Sequence, residues 1–244
     1  KKENPENIIF ILADDLGYSD VGYMNQKTEI KTPSIDRLAK NGMVFTNAYA
    51  SCPVCSPTRA SILTGKYPAT LQLTCHIPGM GMKKYIAKRS KGRKLMEAEF
   101  IDHLPLKETT FAEVLKKNGY KTAFMGKWHL AGEGSQRTSD GIVNANYHPE
   151  NQGFDINIGG CAYGQPASYF SPYQNATIAD GPDDEYLTDR IGDEACRFIE
   201  KNKNERFLLY LSFYTVHTPF QAPDDIVKKY HGNSYYAMID QLDE

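Results

Sequence analysis

Apolar side chains recur along this chain in two rhythms, and each rhythm predicts a different element. Residues 7–13, Asn-Ile-Ile-Phe-Ile-Leu-Ala, form a continuous apolar run rich in β-branched side chains. Such a run predicts a central strand buried on both faces. Residues 43–48, 120–126 and 207–214 read as further strands. Elsewhere the spacing is helical. Residues 32–42 set Ile35, Leu38 and Ala39 on one face, behind Thr32 as cap and Pro33 in the first turn, and close on Gly42. Residues 109–119 do the same with Phe111, Val114 and Leu115 before Gly119, and residues 186–202 turn Leu187, Ile191, Ala195, Phe198 and Ile199 toward a core.

Periodicity fades over residues 132–184, which are rich in Gly, Pro, Asn, Ser and Tyr. Long loops shaping a pocket rim are expected there. Asn175-Ala176-Thr177 is a glycosylation sequon, or an accident of composition. The last ten residues begin a helix with Tyr235, Met238, Ile239 and Leu242 on its apolar face. It stops without glycine, proline or a basic last turn, so residues 1–244 read as the N-terminal portion of a longer protein.

Composition narrows the picture. With 244 residues the chain can bury one substantial core, and a single α/β domain of this size is ordinary. A net charge of −2 gives no push toward nucleic acid or an anionic membrane. No apolar run approaches the ~20 residues of a membrane span, and the first residues do not resemble a signal peptide, so any export signal has been removed. Five cysteines, Cys52, Cys55, Cys75, Cys161 and Cys196, are an odd number for a disulfide framework. Residues 83–94 hold seven lysines and arginines. They read as a solvated loop or as a contact for a polyanion such as a sulfated glycan. Only Tyr85 could stack on a base, which argues against nucleic acid.

The candidate chemistry gathers where the predicted elements end. Asp14-Asp15 follows the first strand, where ligands collect in open α/β sheets. Adjacent carboxylates there are either ligands for a hard cation or a turn with two solvated acids. Cys55 precedes a helix initiated by Pro57, where unpaired N–H groups favour negative charge, and Arg59 can reach back over the same spot. Cys52-Pro53-Val54-Cys55 also reads as a redox dithiol or half a zinc site, although no second pair completes one. Lys127 and His129 follow the strand of residues 120–126, two apart, so at an extended end they point the same way. His217-Thr218-Pro219 follows the last strand, where a structural turn histidine is the plain alternative.

Cys55-Ser56-Pro57-Thr58-Arg59, continuing to Thr64-Gly65, resembles the signature of the sulfatase family, with Thr58 where serine is commoner. Gly126-Lys127-Trp128-His129 resembles the second family signature, and Asp14-Asp15, Asn151-Gln152-Gly153 and His217-Thr218-Pro219 occur in family order. The resemblance implies an α/β fold shared with alkaline phosphatase, a largely parallel central sheet sandwiched by helices, here C-terminally truncated. It implies conversion of Cys55 to Cα-formylglycine by a maturation enzyme, and a calcium ion held by Asp14, Asp15 and residue 55. Arg59, Lys127, His129 and His217 would surround a sulfate group, with His129 and His217 moving protons. The implied function is hydrolysis of a sulfate monoester, of a sugar or an aryl alcohol, in the periplasm or outside the cell. The alternatives are a phosphonate or phosphate ester hydrolase of the same superfamily, or a catalytically incompetent fragment that binds sulfate or glycan. Two further calcium ligands and a second lysine are expected beyond residue 244.

Overall fold

A computed structural model describes residues 6–96, 98–132 and 145–244. Four parallel strands form one sheet: β1 (Ile8–Leu12), β2 (Lys121–Gly126), β3 (Ile156–Ile158) and β4 (Phe207–Ser212), in the spatial order β1-β4-β2-β3. Ile8 pairs with Leu208, Lys121 with Phe207, and Ala123 with Ile156. The helices are α1 (Pro33–Asn41), α2 (Cys55–Thr64), α3 (Pro68–Leu71), α4 (Met82–Ser90), α5 (Phe111–Lys117), α6 (Leu187–Asn202), α7 (Asp224–Lys229) and α8 (Ser234–Asp243). No helix among the described residues is long and apolar enough to cross a membrane.

Alternation in β2 and β4 divides the interior in two. Ala123, Met125, Leu209 and Leu211 point into a cluster with Leu187, Ile191, Ala195 and Phe198 of α6 and Met238 and Ile239 of α8. Phe124, Leu208 and Tyr210 point the other way, toward Ala60 and Leu63 of α2, Leu71 of α3 and Ala112 of α5. Successive side chains on a strand face opposite ways, so a parallel strand covered by helices on both sides must be apolar throughout. The sheet sandwiched by helices is the arrangement expected from the sequence.

Several local expectations are corrected. β1 is an edge strand here, paired only with β4, and Ile8, Ile9 and Ile11 are 37–55% exposed. An apolar run sets a strand's character but not its neighbours. In α1 no residue is buried, and Leu38 stands in solvent. Its first-turn amides are satisfied from the far end of the chain, where Asp243 accepts hydrogen bonds from Ser34 N and Ile35 N at 2.8 and 2.7 Å. Residues 43–48 form no strand because nothing pairs with them, and Met43 and Phe45 are exposed. Residues 83–94 begin as helix α4 rather than a loop, with Tyr85 buried beneath it. Val114 of α5 faces solvent, while the helix start is fixed by a reciprocal cap between Thr110 and Glu113. The short strand β3 lies within the stretch read as loop, of which residues 133–144 fall outside the described residues. The Asn175 amide donates inward to Gly159 O and Tyr214 Oη, which favours the accidental reading of the sequon.

All four strands point their carboxyl ends at one edge. There Gly126, with φ of 103°, lets Lys127 N donate to Ser212 O at 2.7 Å. A Cβ at Gly126 would lie 1.8 Å from that carbonyl oxygen. Gly126→Ala therefore combines a disfavoured φ with a backbone clash, and is expected to remove roughly 3 kcal/mol or more of stability. Gly192→Ala, in α6 with no atom within 4 Å of the new methyl, is expected to be neutral or to add about 0.5–1 kcal/mol. Chemical denaturation of the two variants checks the contrast.

Candidate active site

The centre of this edge is a buried cluster of three charges. Asp14, just beyond β1, is 6% exposed. Its Oδ1 accepts from Arg59 Nη2 at 2.8 Å and its Oδ2 from Lys127 Nζ at 2.5 Å. Burial alone would raise the Asp14 pKa, but the two cations outweigh it and hold the carboxyl below its usual range. Arg59 is carried inward by α2, and its Nη1 donates to Lys127 O at 2.7 Å and Ser212 Oγ at 2.6 Å. Ser212 Oγ in turn donates to Lys127 O at 2.9 Å. One carboxylate faces two cations, so the cluster carries an excess positive charge away from water. Arg59 Nε, also buried, has no hydrogen-bond partner.

A cavity of about 640 Å³ opens above this cluster, and Cys55, His129, Asp15, His217, His76 and Gln165 stand on its walls. Cys55 opens α2, and its Sγ lies 3.2 Å from His129 Nδ1. On the other side of the ring, His129 Nε2 lies 2.9 Å from Ile77 O. A carbonyl only accepts, so Nε2 carries the proton and Nδ1 presents its lone pair to residue 55. Burial first, and Lys127 second, hold the His129 pKa well below its ordinary value, so the ring is neutral. His129 adopts a φ of 55°, and Gly164 lies so close that a Cβ there would sit 2.5 Å from the ring.

Asp14, Asp15 and His217 offer ligand atoms within 4.8 Å of one another. The meeting follows from backbone stitching between the ends of β1 and β4: Asp14 N donates to Thr215 O at 2.9 Å, and Val216 N to Asp14 O at 2.5 Å. Tyr169 Oη reaches the carbonyls of Tyr214 and His217, 2.8 Å each, and fixes the same turn. His217 Nδ1 lies 2.8 Å from Thr218 O and donates to it, which turns Nε2 toward Asp15 Oδ2, 3.7 Å away. Two carboxylates and an imidazole edge gathered this closely form a donor set that fits a metal ion.

The structure thus brings all the sequence candidates to one edge, but not to one surface. Cys55, His129, Asp15 and His217 face the cavity, whereas Arg59, Lys127 and Asp14 lie beneath it. Arg59 does not reach back over Cys55; its charge is taken by Asp14. The strand ends at Gly126, so simple alternation does not govern Lys127 and His129. Cys55 lies outside the group formed by the two acids and His217. Cys52 and Cys55 are both free thiols. Ser212, His76, Gly164 and Gln165 were missed. Ser212 alone left a signal, as a hydroxyl closing an otherwise apolar run.

Removing the carboxylate would leave two buried cations uncompensated, a loss of about 3–5 kcal/mol for a broken buried pair. Asp14→Asn is therefore expected to lower the melting temperature by roughly 6–20 °C for a domain of this size. A melt within 2 °C or so of the parent would show that the cluster is not a stabilising centre.

Comparison with known proteins adds an independent line. Residues 6–244 match the family model described as Sulfatase. Steryl-sulfatase of Mus musculus is 29% identical over 98% of this chain and 47% of its own length. N-acetylgalactosamine-6-sulfatase of Homo sapiens is 27% identical over 98% of this chain and 45% of its own. The crystal structure of Ps i-CgsB in complex with k-i-k-neocarrahexaose superposes with a TM-score of 0.73 at 29% identity, covering 99% of this chain and 53% of that one. The chain spans about half the length of the curated relatives it matches. A family model spanning nearly every residue, on a fold whose strand ends gather the same motifs, makes this chain a member of the sulfatase family.

Proposed function

We propose that this chain forms the catalytic face of a sulfuric ester hydrolase that cleaves a sulfate monoester of a sugar or an aryl alcohol. The observation that carries the reading is Cys55 held 3.2 Å from a neutral, buried histidine, at the mouth of a cavity underlain by excess positive charge. A sulfate monoester is an anion whose cleavage sends further charge onto the leaving oxygen. Fixed cations in a low-dielectric site stabilise that charge. Arg59 and Lys127 supply the field from below, already oriented by Asp14 and Ser212.

Residue 55, as Cα-formylglycine, would supply a hydrated aldehyde, one hydroxyl attacking sulfur and the other driving sulfate out. Asp14 and Asp15 are the carboxylates that would hold a calcium ion, which would supply further charge stabilisation to the sulfate. His129 Nδ1 is the acceptor for a proton leaving residue 55, because its Nε2 proton is committed to Ile77 O. His217, on the opposite wall, serves as the donor to the departing alcohol. The maturation enzyme and the periplasmic or extracellular location belong to the same proposal, since formylglycine requires a dedicated catalyst.

A second reading, a fragment that binds sulfate or glycan without turnover, draws support from the ligand count. Both Asp14 oxygens already accept from cations, so Asp15 is the uncommitted carboxylate of this group, against the six to eight oxygens calcium takes. For residues 1–244 alone, calorimetric titration is expected to find calcium binding at about millimolar Kd or weaker. Tight binding would refute that expectation. A phosphonate or phosphate hydrolase on this fold is separated by comparing rates on aryl sulfate and aryl phosphate.

The decisive experiment on the proposal is mass spectrometry of the tryptic peptide spanning residues 41–59 from the natural host, which should carry an aldehyde at position 55. Cys55→Ser is expected to abolish steady turnover wherever no serine-competent maturase is present. Full activity with an unmodified cysteine would overturn the mechanism.

A further inference from the structure

We propose that α4 and the basic turn after it form an anion-binding wall continuous with the cavity, and that its occupant is a glycan carrying several sulfate groups. This rests on the sulfatase reading of the cavity and names the substrate class for it. The segment that brings His76, Ile77 and Gly79 to the cavity wall runs directly into α4. Tyr85 pins the helix there, buried with its ring edge-on to His76 at 5.4 Å and to Phe100 at 6.2 Å. The Arg89 guanidinium lies 5.8 Å from the Tyr85 ring centre. After burial, Arg89 is the next cause holding the His76 pKa below its usual value, so the helix's charge is felt at the cavity wall.

Lys83, Lys84, Lys88, Lys91, Arg93 and Lys94 are all exposed and form no ion pair among the described residues. Residues 83–94 contain no acid, while the remainder of the chain carries nine more acids than bases. The positive field is therefore local to this flank. Its first-turn part also runs against the helix's own stability, although Lys88 and Arg89 suit the last turn. Lys83 and Lys84 occupy the first turn, where the macrodipole disfavours cations, with no acid there to offset them. Lys84 and Lys88 are four apart and repel. A polyanion laid along the helix relieves both penalties, and a glycan with one sulfate in the cavity presents its neighbours to α4. Nucleic acid is disfavoured because the lone aromatic on this helix is buried. An anionic bilayer is the alternative under test, since Leu95 and Met96 stand exposed beyond the basic turn.

The test is fluorescence anisotropy of the full-length enzyme with a labelled heparin hexasaccharide, at low and physiological salt, against maltohexaose, single-stranded RNA and phosphatidylserine vesicles. Lys83→Ala, Lys84→Ala and Lys88→Ala are combined, since alanine preserves the helix. The expected result is roughly tenfold weaker hexasaccharide binding and a flatter salt dependence, with 4-nitrophenyl sulfate turnover unchanged. Should that variant misfold, the single exposed change Lys88→Glu gives the same readout. Unchanged hexasaccharide binding overturns the proposal, as does equal affinity for maltohexaose. So does a loss confined to RNA or to vesicles. If hexasaccharide binding depends on α4 while neither protein turns over the aryl sulfate, the wall stands and the hydrolase reading falls.

Discussion

The architecture of this edge depends on one carboxylate shared between two cations where no water reaches. Asp14 comes from the end of β1, Arg59 from α2 and Lys127 from the end of β2, and Ser212 at the end of β4 completes the ring of hydrogen bonds. Burial of three charges is costly unless each is matched and hydrogen-bonded. Here the matching is incomplete by one positive unit, and Arg59 Nε is left without an acceptor. A folded protein tolerates such an imbalance where an anion is to be received. Burial first, and the cluster's Lys127 second, keep the neighbouring His129 neutral.

Parallel strands make this convergence possible. Their carboxyl ends share an edge, so residues more than a hundred positions apart, such as Asp14 and Lys127, come within hydrogen-bonding distance. Small residues then set the clearances. Gly126 lets the β2 and β4 ends approach, and Gly164 leaves room for the His129 ring. The family signature around Cys55 is thus one part of a larger device, whose other parts are backbone positions with no chemistry of their own.

How much of this the sequence disclosed depended on the kind of signal. α6 was legible because its apolar stripe is long and regular, and Leu187, Ile191, Ala195 and Phe198 are buried as expected. β4 was legible as a run covered on both faces. β1 has the same composition but lies at the edge, because hydrophobicity does not encode which strand pairs with which. α4 was hidden by its own charge: seven cations in residues 83–94 masked the buried Tyr85. Asp14, Asp15, Cys55, Arg59, Lys127, His129 and His217 were named from motif and resemblance, but their layers were not. Nothing in the spacing of Arg59 and Lys127 indicates that both turn away from the cavity toward Asp14. Ser212 and Gly164 carry too weak a local signature to be singled out.

The clasp between Asp243 and α1 has a consequence in time. The carboxylate that caps Ser34 and Ile35 is separated from Ile35 by 208 positions. At ordinary synthesis rates it emerges roughly 10–40 s after the helix it closes. Until then the first-turn amides of α1 have no carboxylate to accept from them. On the ribosome, the cap of α1 must wait for α8.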